Sequence, residues 1–118
     1  YGAMVHAAQE AADKLAAEEG VEAEIIDLRS LQPLDKEAIF AAVMRTNRVV
    51  IVHEANLTGG IGGEIAALIS EHAFEALDAP IKRVAGLDTP IPYAPAMEEF
   101  WRPNAEKIAQ AVREVIRF

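Results

Sequence analysis

The residues best placed to do chemistry in this sequence are His53 and Glu54, which complete an apolar run. Histidine is the usual general acid or base near neutral pH, and a neighbouring carboxylate can orient its ring. The run Val49–His53 is typical of a central parallel strand, so both side chains are expected at the carboxyl edge of a sheet, where α/β proteins bind ligands. A hydrogen bond between His53 and Glu54 that fixes the loop is the favoured interpretation, because a His–Glu pair alone is a weak signal of catalysis.

A glycine-rich stretch follows this strand and opens the next predicted helix. Its candidate residues are Thr58, Gly59, Gly60, Gly62 and Gly63. A dinucleotide-binding loop would have a small residue in place of Ile65 and a shorter turn, and a P-loop would have a lysine and a hydroxyl. Glu54 and Glu64 flank the stretch and oppose a bound phosphate. The glycines are therefore predicted to admit a close protein neighbour, either this sheet or another chain, with Thr58 capping the helix.

The remaining candidate residues do not complete an active site. His72 lies on the apolar side of its helix, which favours a hydrogen-bonded histidine that is buried or at an interface. His6 has no identifiable partner. The chain has no histidine or acid cluster at metal-ligand spacing, no serine in a nucleophile elbow and no cysteine. We therefore predict no catalytic, cofactor-binding or metal-binding residue in this chain.

Composition places the chain among soluble single domains. It has 118 residues, of which 52% are hydrophobic and 25% charged, which suits one compact core. The formal net charge of −8 argues against a nucleic-acid binder. A basic partner would suit it, but on composition alone the favoured interpretation is an acidic surface that only keeps the protein soluble. No apolar run approaches the roughly 20 residues of a membrane span, and no signal-peptide pattern is present. The lack of cysteine is compatible with a reducing cytoplasm.

Apolar periodicity predicts an alternation of helices and strands. The predicted helices begin at Met4, Asp35, Ile61 and Pro103 and end near Gly20, near Asn47, before Pro80 and near the last residue. The predicted strands are Ala23–Leu28, Val49–His53 and Ile81–Val84, and a proline-stiffened loop crosses from Gly86 to Pro95. This order predicts an α/β fold, a three-layer αβα sandwich whose sheet is mainly parallel and could be mixed.

A series of short motifs runs along the whole chain. They are Tyr1–Val5, Ile26–Leu31 with Pro33–Asp35, Val52–Ala55 with Thr58–Gly60 and Glu64–Ile65, Asp78–Pro80, Arg83–Val84 and Pro90–Ala94. In this order and spacing they resemble the C-terminal domain of the thiamine-diphosphate-dependent transketolase-like enzymes. Within that group they resemble the beta subunit of the decarboxylating component of 2-oxo acid dehydrogenase complexes, pyruvate or branched-chain.

The resemblance implies that residues 1–118 are a transketolase C-terminal-like domain, a fragment of a longer subunit that lacks its N-terminal pyrimidine-binding domain and the strand before Tyr1. The parent enzyme would oxidatively decarboxylate pyruvate or branched-chain 2-oxo acids and transfer the acyl group to lipoyl. In the family, thiamine diphosphate and magnesium lie between the alpha subunit and the missing domain. Neither is therefore expected to bind this chain, which should be inactive when isolated. The expected location is a bacterial or archaeal cytoplasm or a mitochondrial matrix.

The resemblance also implies that the domain builds the interface of a heterotetramer with the alpha subunit and a second beta subunit. The interface candidates are His53, Glu54, Thr58, Gly59, Gly60, Gly62, Gly63 and His72. A second implied partner is the small, basic subunit-binding domain of the dihydrolipoyl acyltransferase, which an acidic surface would attract. The docking candidates are Glu71, Glu75, Asp78 and Phe118, the last because a terminal aromatic carboxylate contributes in some relatives.

Two alternatives stand beside this interpretation. One is an independent ligand- or nucleotide-binding module that uses the glycine stretch. The other is the same domain from another transketolase relative, such as the deoxyxylulose-phosphate synthase. The motifs His53–Ala55 and Pro92–Ala94 favour the dehydrogenase branch of the family.

Overall fold

The computed structural model describes every residue from Tyr1 to Phe118. The chain contains five α-helices and two β-strands. They are α1 (Met4–Glu19), α2 (Lys36–Thr46), β1 (Val50–Asn56), α3 (Ile61–Ala73) with a 3-10 turn (Phe74–Ala76), β2 (Lys82–Gly86), α4 (Pro95–Trp101) and α5 (Ala105–Ile116). None of the helices combines the length and the hydropathy that a bilayer span requires.

The sheet has two parallel strands, β1 and β2, joined by the α3 crossover. Val50 lies opposite Lys82 and Val52 opposite Val84, and the register is irregular between Val52 and Asn56. Parallel neighbours require such a crossover, because a tight turn can only reverse the chain. The predicted parallel sheet is therefore confirmed.

The two faces of the sheet carry different helices. On one face, Leu15 of α1 and Ile108 of α5 pack with Val52. On the other face, α2 and α3 form a cluster against which Ile51 packs. Adjacent strand residues point to opposite faces, so Ile51 and Val52 each reach a different helical layer. This arrangement confirms the predicted three-layer sandwich.

The helix ends follow local sequence signals. Gly20 ends α1 in the left-handed region at φ 67°, and Asn47 ends α2 at φ 64°. The Asp35 side chain accepts a hydrogen bond from the Ala38 amide at 3.1 Å, as a helix N-cap does. These three ends are confirmed. The last helix begins later than predicted, because Asn104, which follows Pro103, is its N-cap.

The predicted strand Ala23–Leu28 is wrong in the described structure. The segment carries no secondary structure, and no main-chain group of residues 22–27 forms a backbone hydrogen bond. A strand exists only where a neighbour pairs with it, and β1 pairs only with β2. The apolar pair Ile25 and Ile26 therefore lies half-buried beside the helices without joining the sheet.

Helix α4 was not predicted, although its residues directly follow the predicted crossing loop. Pro95 occupies its first turn, where the missing amide hydrogen is not needed. Trp101 is its buried residue and donates from Nε1 to the Thr89 carbonyl oxygen at 3.1 Å. A helix this short leaves too little periodicity in the sequence to be recognised.

Candidate functional site

His53 lies at the carboxyl end of β1 and is almost completely buried, with 1% of its surface exposed. Its Nδ1 is 3.0 Å from the carbonyl oxygen of Ala55. Because a carbonyl only accepts, Nδ1 carries the hydrogen and donates it, which leaves Nε2 as the acceptor of the neutral ring. Glu54 is exposed and makes no hydrogen bond to the ring. The predicted His53–Glu54 hydrogen bond is therefore wrong, because successive strand residues point to opposite faces of the sheet.

The glycine stretch packs directly on the His53 ring. A Cβ atom at Gly60 would lie 2.6 Å from His53 Cε1, and one at Gly62 would lie 2.5 Å from His53 Nε2. Gly59 is different, since its φ of 78° requires the left-handed region and its neighbourhood is open. A Cβ atom at Gly63 would meet only Arg83 Nη1, at 3.5 Å. For Gly62 the close neighbour is thus the His53 side chain of β1, and for Gly60 it is that side chain together with the Asn56 carbonyl oxygen of the same strand.

Three further contacts hold the glycine stretch over the sheet edge. The Asp88 carboxylate accepts from the Thr58 amide at 2.9 Å and from the Thr58 hydroxyl at 2.5 Å. Arg83 of β2 donates to the Leu57 carbonyl oxygen at 3.0 Å. Thr58 was predicted to cap α3, and this is wrong because its hydroxyl bonds to Asp88 while Gly60 occupies the cap position.

The electrostatics of this edge favour a structural role. Burial lowers the pKa of His53 below its ordinary value of 6.5. The hydrogen bond to Ala55 raises this pKa, and the positive charge of Arg83 lowers it. The hydrogen bonds from Thr58 lower the pKa of Asp88. His53 Nε2 is buried and has no hydrogen-bond partner. A neutral, inaccessible imidazole cannot exchange protons with a substrate at the surface, so this geometry supports no acid-base chemistry.

At the opposite end of the strands, just before β1 begins, two docking candidates come together at Arg48. The guanidinium of Arg48 donates from Nη2 to the Phe118 main-chain oxygen at 2.8 Å, and its Nη1 is 3.8 Å from Asp78 Oδ2. Arg48 Nε also donates to the Val115 carbonyl oxygen at 3.0 Å. The structure therefore places Asp78 and Phe118 on one surface, far from the glycine stretch.

Two other docking candidates, Glu71 and Glu75, lie at the end of α3 and in the 3-10 turn that follows. Both are exposed, and neither forms an ion pair within the chain. Between them Phe74 is 68% exposed, which the sequence pattern did not reveal. An exposed aromatic ring among acids is typical of a protein-binding surface, since large apolar side chains rarely remain in water without a partner.

His72 is exposed in this chain, so its predicted burial within the domain is wrong. Its ring lies 5.4 Å from that of Phe40, at an interplanar angle of 45°. His72 lies in the last turn of α3, on the helix face that carries Ile65 and Ile69 further back, but its own side chain is exposed. An interface role for His72 stays a prediction.

A further group of exposed apolar side chains lies around α4, where sequence reasoning named no site residue. Ile91, Tyr93, Met97 and Phe100 are all exposed within a span of ten residues. Their common signal in the sequence is an apolar stretch interrupted by prolines, which prevents a regular strand. Such a concentration of exposed apolar groups indicates a surface for protein contact.

The glycine stretch has no open cradle of the kind that holds a phosphate in nucleotide-binding loops. No group of three histidine, aspartate or glutamate side chains could hold a metal ion. The space in front of Gly60 and Gly62, which a phosphate would need, is filled by His53. His53 and Gly62 are therefore packed as protein interior at this edge of the sheet.

Comparison with known proteins places these features in a family. The model of the transketolase C-terminal domain matches residues 1–108. The 2-oxoisovalerate dehydrogenase subunit beta of Bacillus subtilis is 48% identical over all of this chain and 36% of its own length. The pyruvate dehydrogenase E1 component subunit beta of the same species is 42% identical, again over all of this chain and 36% of its own length.

A solved structure agrees with this assignment. The structure described as "Split gene transketolase, inactive beta4 tetramer" superposes with a TM-score of 0.82 at 30% identity, over 98% of this chain and 36% of that one. The chain thus spans about a third of the length of the curated relatives it matches. With its three layers, its parallel strands and the match over residues 1–108, the chain belongs to the transketolase C-terminal domain family.

Proposed function

We propose that this chain is the C-terminal domain of the beta subunit of a thiamine-diphosphate-dependent 2-oxo acid dehydrogenase, and that it serves assembly. The parent enzyme oxidatively decarboxylates pyruvate or a branched-chain 2-oxo acid and transfers the acyl group to lipoyl. The names of the similar beta subunits support the parent activity. The buried His53 and the filled glycine stretch support a domain without chemistry of its own.

Thiamine diphosphate and magnesium are held in this proposal by the alpha subunit and by an N-terminal pyrimidine-binding domain. The supporting observation within this chain is that its glycine stretch leaves no room for a phosphate. The test is an assay of the isolated chain for decarboxylation and for calorimetric binding of the cofactor with Mg²⁺. Decarboxylation by the isolated chain, or binding of the cofactor to it, would contradict the proposal.

Docking of the acyltransferase core is the second part of the proposed role. The observation that carries it is the meeting of Asp78 and Phe118 at Arg48. Glu71 and Glu75 add unpaired negative charge nearby, and the whole chain carries −8. A small basic subunit-binding domain would be steered to such a surface by complementary charge.

The test of docking is calorimetric titration of the chain with a basic subunit-binding domain at about 0.05 M and about 0.3 M salt. Binding should weaken at the higher salt, because exposed charges are screened. Asp78→Asn and Phe118→Ala should each weaken binding about tenfold. Glu10→Gln, which removes an exposed charge on α1, should not. Absence of binding, together with nucleotide affinity that Gly60→Val abolishes, would favour the ligand-binding alternative.

Association with the alpha subunit and a second beta subunit is assigned to the exposed apolar group around α4. Tyr93 and Phe100 are its large exposed aromatic members. Of the interface candidates, Glu54, Thr58, Gly59 and His72 are exposed to a partner, whereas His53 and Gly62 are buried and would act through the loop they support. In the whole subunit, Tyr93→Ser with Phe100→Ser should weaken association with the alpha subunit in sedimentation. Met44→Ser, another exposed apolar residue, is the control.

Residues 1–118 are proposed to follow an N-terminal domain whose last segment adds a strand to the free edge of β1. A cavity of about 350 Å³ lies at this edge between Val50, Val52, Ile25 and the helices. A second cavity of about 170 Å³ lies on the other face, and Tyr1 lines both. A strand that is paired on one side only, with apolar cavities beside its free edge, is the setting in which a further strand would pair.

Extension of the chain by its preceding residues tests this arrangement. Amide exchange at Val50, at Val52 and along Ala23–Leu28 should slow, because new backbone hydrogen bonds form at both edges of the added strand. Unchanged exchange in the extended chain would contradict the arrangement.

A further inference from the structure

We propose that Arg48 is a positioning residue of the docking surface, an inference that rests on the docking function proposed above. Arg48 holds the Asp78 carboxylate beside the last turn of the chain, so that a basic partner meets Asp78 and Phe118 together. Arg48 lies in the short link between α2 and β1, apart from the segments that carry Asp78 and Phe118.

Three acceptors surround the guanidinium in different directions. Nε donates to the Val115 carbonyl oxygen at 3.0 Å and Nη2 to the Phe118 main-chain oxygen at 2.8 Å. Nη1 faces Asp78 Oδ2 at 3.8 Å. A planar guanidinium has five donors in a fixed fork, which suits several acceptors at once, whereas a lysine ammonium is a mobile point charge. The geometry therefore uses a property that only arginine has.

The main chain beside Arg48 fixes the second element of the surface. The Asn47 carbonyl oxygen accepts from the Asp78 amide at 2.8 Å, and Asn47 Nδ2 donates to the Ala76 carbonyl oxygen at 2.7 Å. The two residues Asn47 and Arg48 thus hold the backbone after α3 on one side and the end of α5 on the other. The backbone of Asp78 is held by Asn47, while its carboxylate faces Arg48.

The pair formed by Arg48 and Asp78 is loose enough to share with a partner. At 3.8 Å it is longer than a hydrogen-bonded ion pair, and the Asp78 side chain is 58% exposed while that of Arg48 is 33% exposed. Most of the carboxylate surface is therefore open to a cation from a basic domain. Orientation before binding reduces the entropy that is lost when a side chain is ordered at an interface.

Arg48→Lys and Arg48→Gln test the inference in the chain of 118 residues, titrated with a basic subunit-binding domain. Arg48→Lys keeps the charge but lacks the planar fork that bonds the Val115 and Phe118 oxygens while facing Asp78, so we expect about tenfold weaker binding, seen mainly as faster dissociation. Arg48→Gln should weaken it at least as much. Arg45→Lys is the matched control, because Arg45 pairs with the exposed Glu24 and should leave affinity within about twofold.

A double-mutant cycle separates positioning from a general loss of stability. In an Asp78→Asn chain from which Phe118 has been removed, Arg48→Lys should have no further effect, because the groups that Arg48 positions are gone. An equal weakening in that background would overturn the inference, since the effect would then not pass through those groups. So would unchanged affinity of both Arg48 variants while the unmodified chain binds. Failure of the unmodified chain to bind would overturn the docking function and this inference together.

Discussion

The imidazole of His53 fills the space in front of Gly62. A Cβ atom on Gly62 would lie 2.5 Å from Nε2 and 2.7 Å from Cδ2 of that ring. Real Cβ atoms do not approach other atoms so closely, and both residues are buried. The absence of a side chain at Gly62 therefore leaves room for the His53 ring and allows α3 to begin close to the end of β1.

Gly62→Ala should destabilise the fold by about 1–3 kcal/mol, the usual range for overpacking of a closed core. Gly63→Ala is the matched control in the same helix, where the new methyl group meets only Arg83 Nη1 at 3.5 Å. Alanine has a better helix propensity than glycine, so this control should be neutral or stabilising by up to about 1 kcal/mol. Urea unfolding monitored by circular dichroism measures both. Equal effects of the two substitutions would show that His53 does not fill this space.

Acidification should destabilise the fold through His53. Burial lowers the folded-state pKa of His53 below the ordinary 6.5, so the unfolded chain binds this proton more readily. The free energy of unfolding should therefore fall as the pH decreases below about 6.5, until the folded-state pKa is passed. The depressed pKa of Asp88 contributes stability that is lost in a separate pH range, as the pH falls below the ordinary carboxyl pKa of 3.8.

Unfolding in urea at a series of pH values checks this dependence. His53→Asn should remove the part of the slope that begins near pH 6.5, whereas His6→Gln, at an exposed position of α1, should keep it. A slope that is the same in both variants would assign the dependence to another group.

Asp88→Asn should loosen the glycine stretch. An amide group accepts less strongly than a carboxylate and cannot accept on both oxygens, so the bonds from the Thr58 amide and hydroxyl are weakened. Hydrogen exchange at the Thr58 amide should become faster, while exchange at the Ala38 amide, which is capped by Asp35, should not change. Unchanged exchange at Thr58 would show that Asp88 does not hold this loop.

Trp101→Ala should remove much of the support for α4. Replacing a buried tryptophan by alanine typically lowers stability by about 3–5 kcal/mol, because a cavity remains. Trp101→Phe keeps an aromatic ring in the site but loses Cζ2 and Cη2, which face Gly86, and the hydrogen bond to Thr89, so its loss should lie between about 1 kcal/mol and the loss in the alanine variant. Urea unfolding followed by circular dichroism distinguishes them. Equal losses would mean that the ring does not contribute by packing.

Most elements of the fold were predictable because their signals are local. The spacing of apolar residues in α1, α2, α3 and α5 follows the helical period, and Asp35 and Asn47 carry the chemistry of helix ends. The continuous β-branched run in β1 is likewise typical of a strand covered on both faces. The family motifs, spread over the whole chain, predicted the fold class and the resemblance that the comparisons confirm.

The site depended on contacts between distant residues, which no local pattern encodes. The partners of His53 and Thr58 proved to be Ala55, the glycines and Asp88, because the direction of each side chain is set by the packed sheet edge. The segment Ala23–Leu28 has the composition of a strand but lacks the neighbour that would pair with it. The meeting of Asp78 with Phe118 at Arg48 likewise exists only after α5 has packed across the sheet. Local periodicity thus predicts which elements form, and long-range packing establishes which side chains meet.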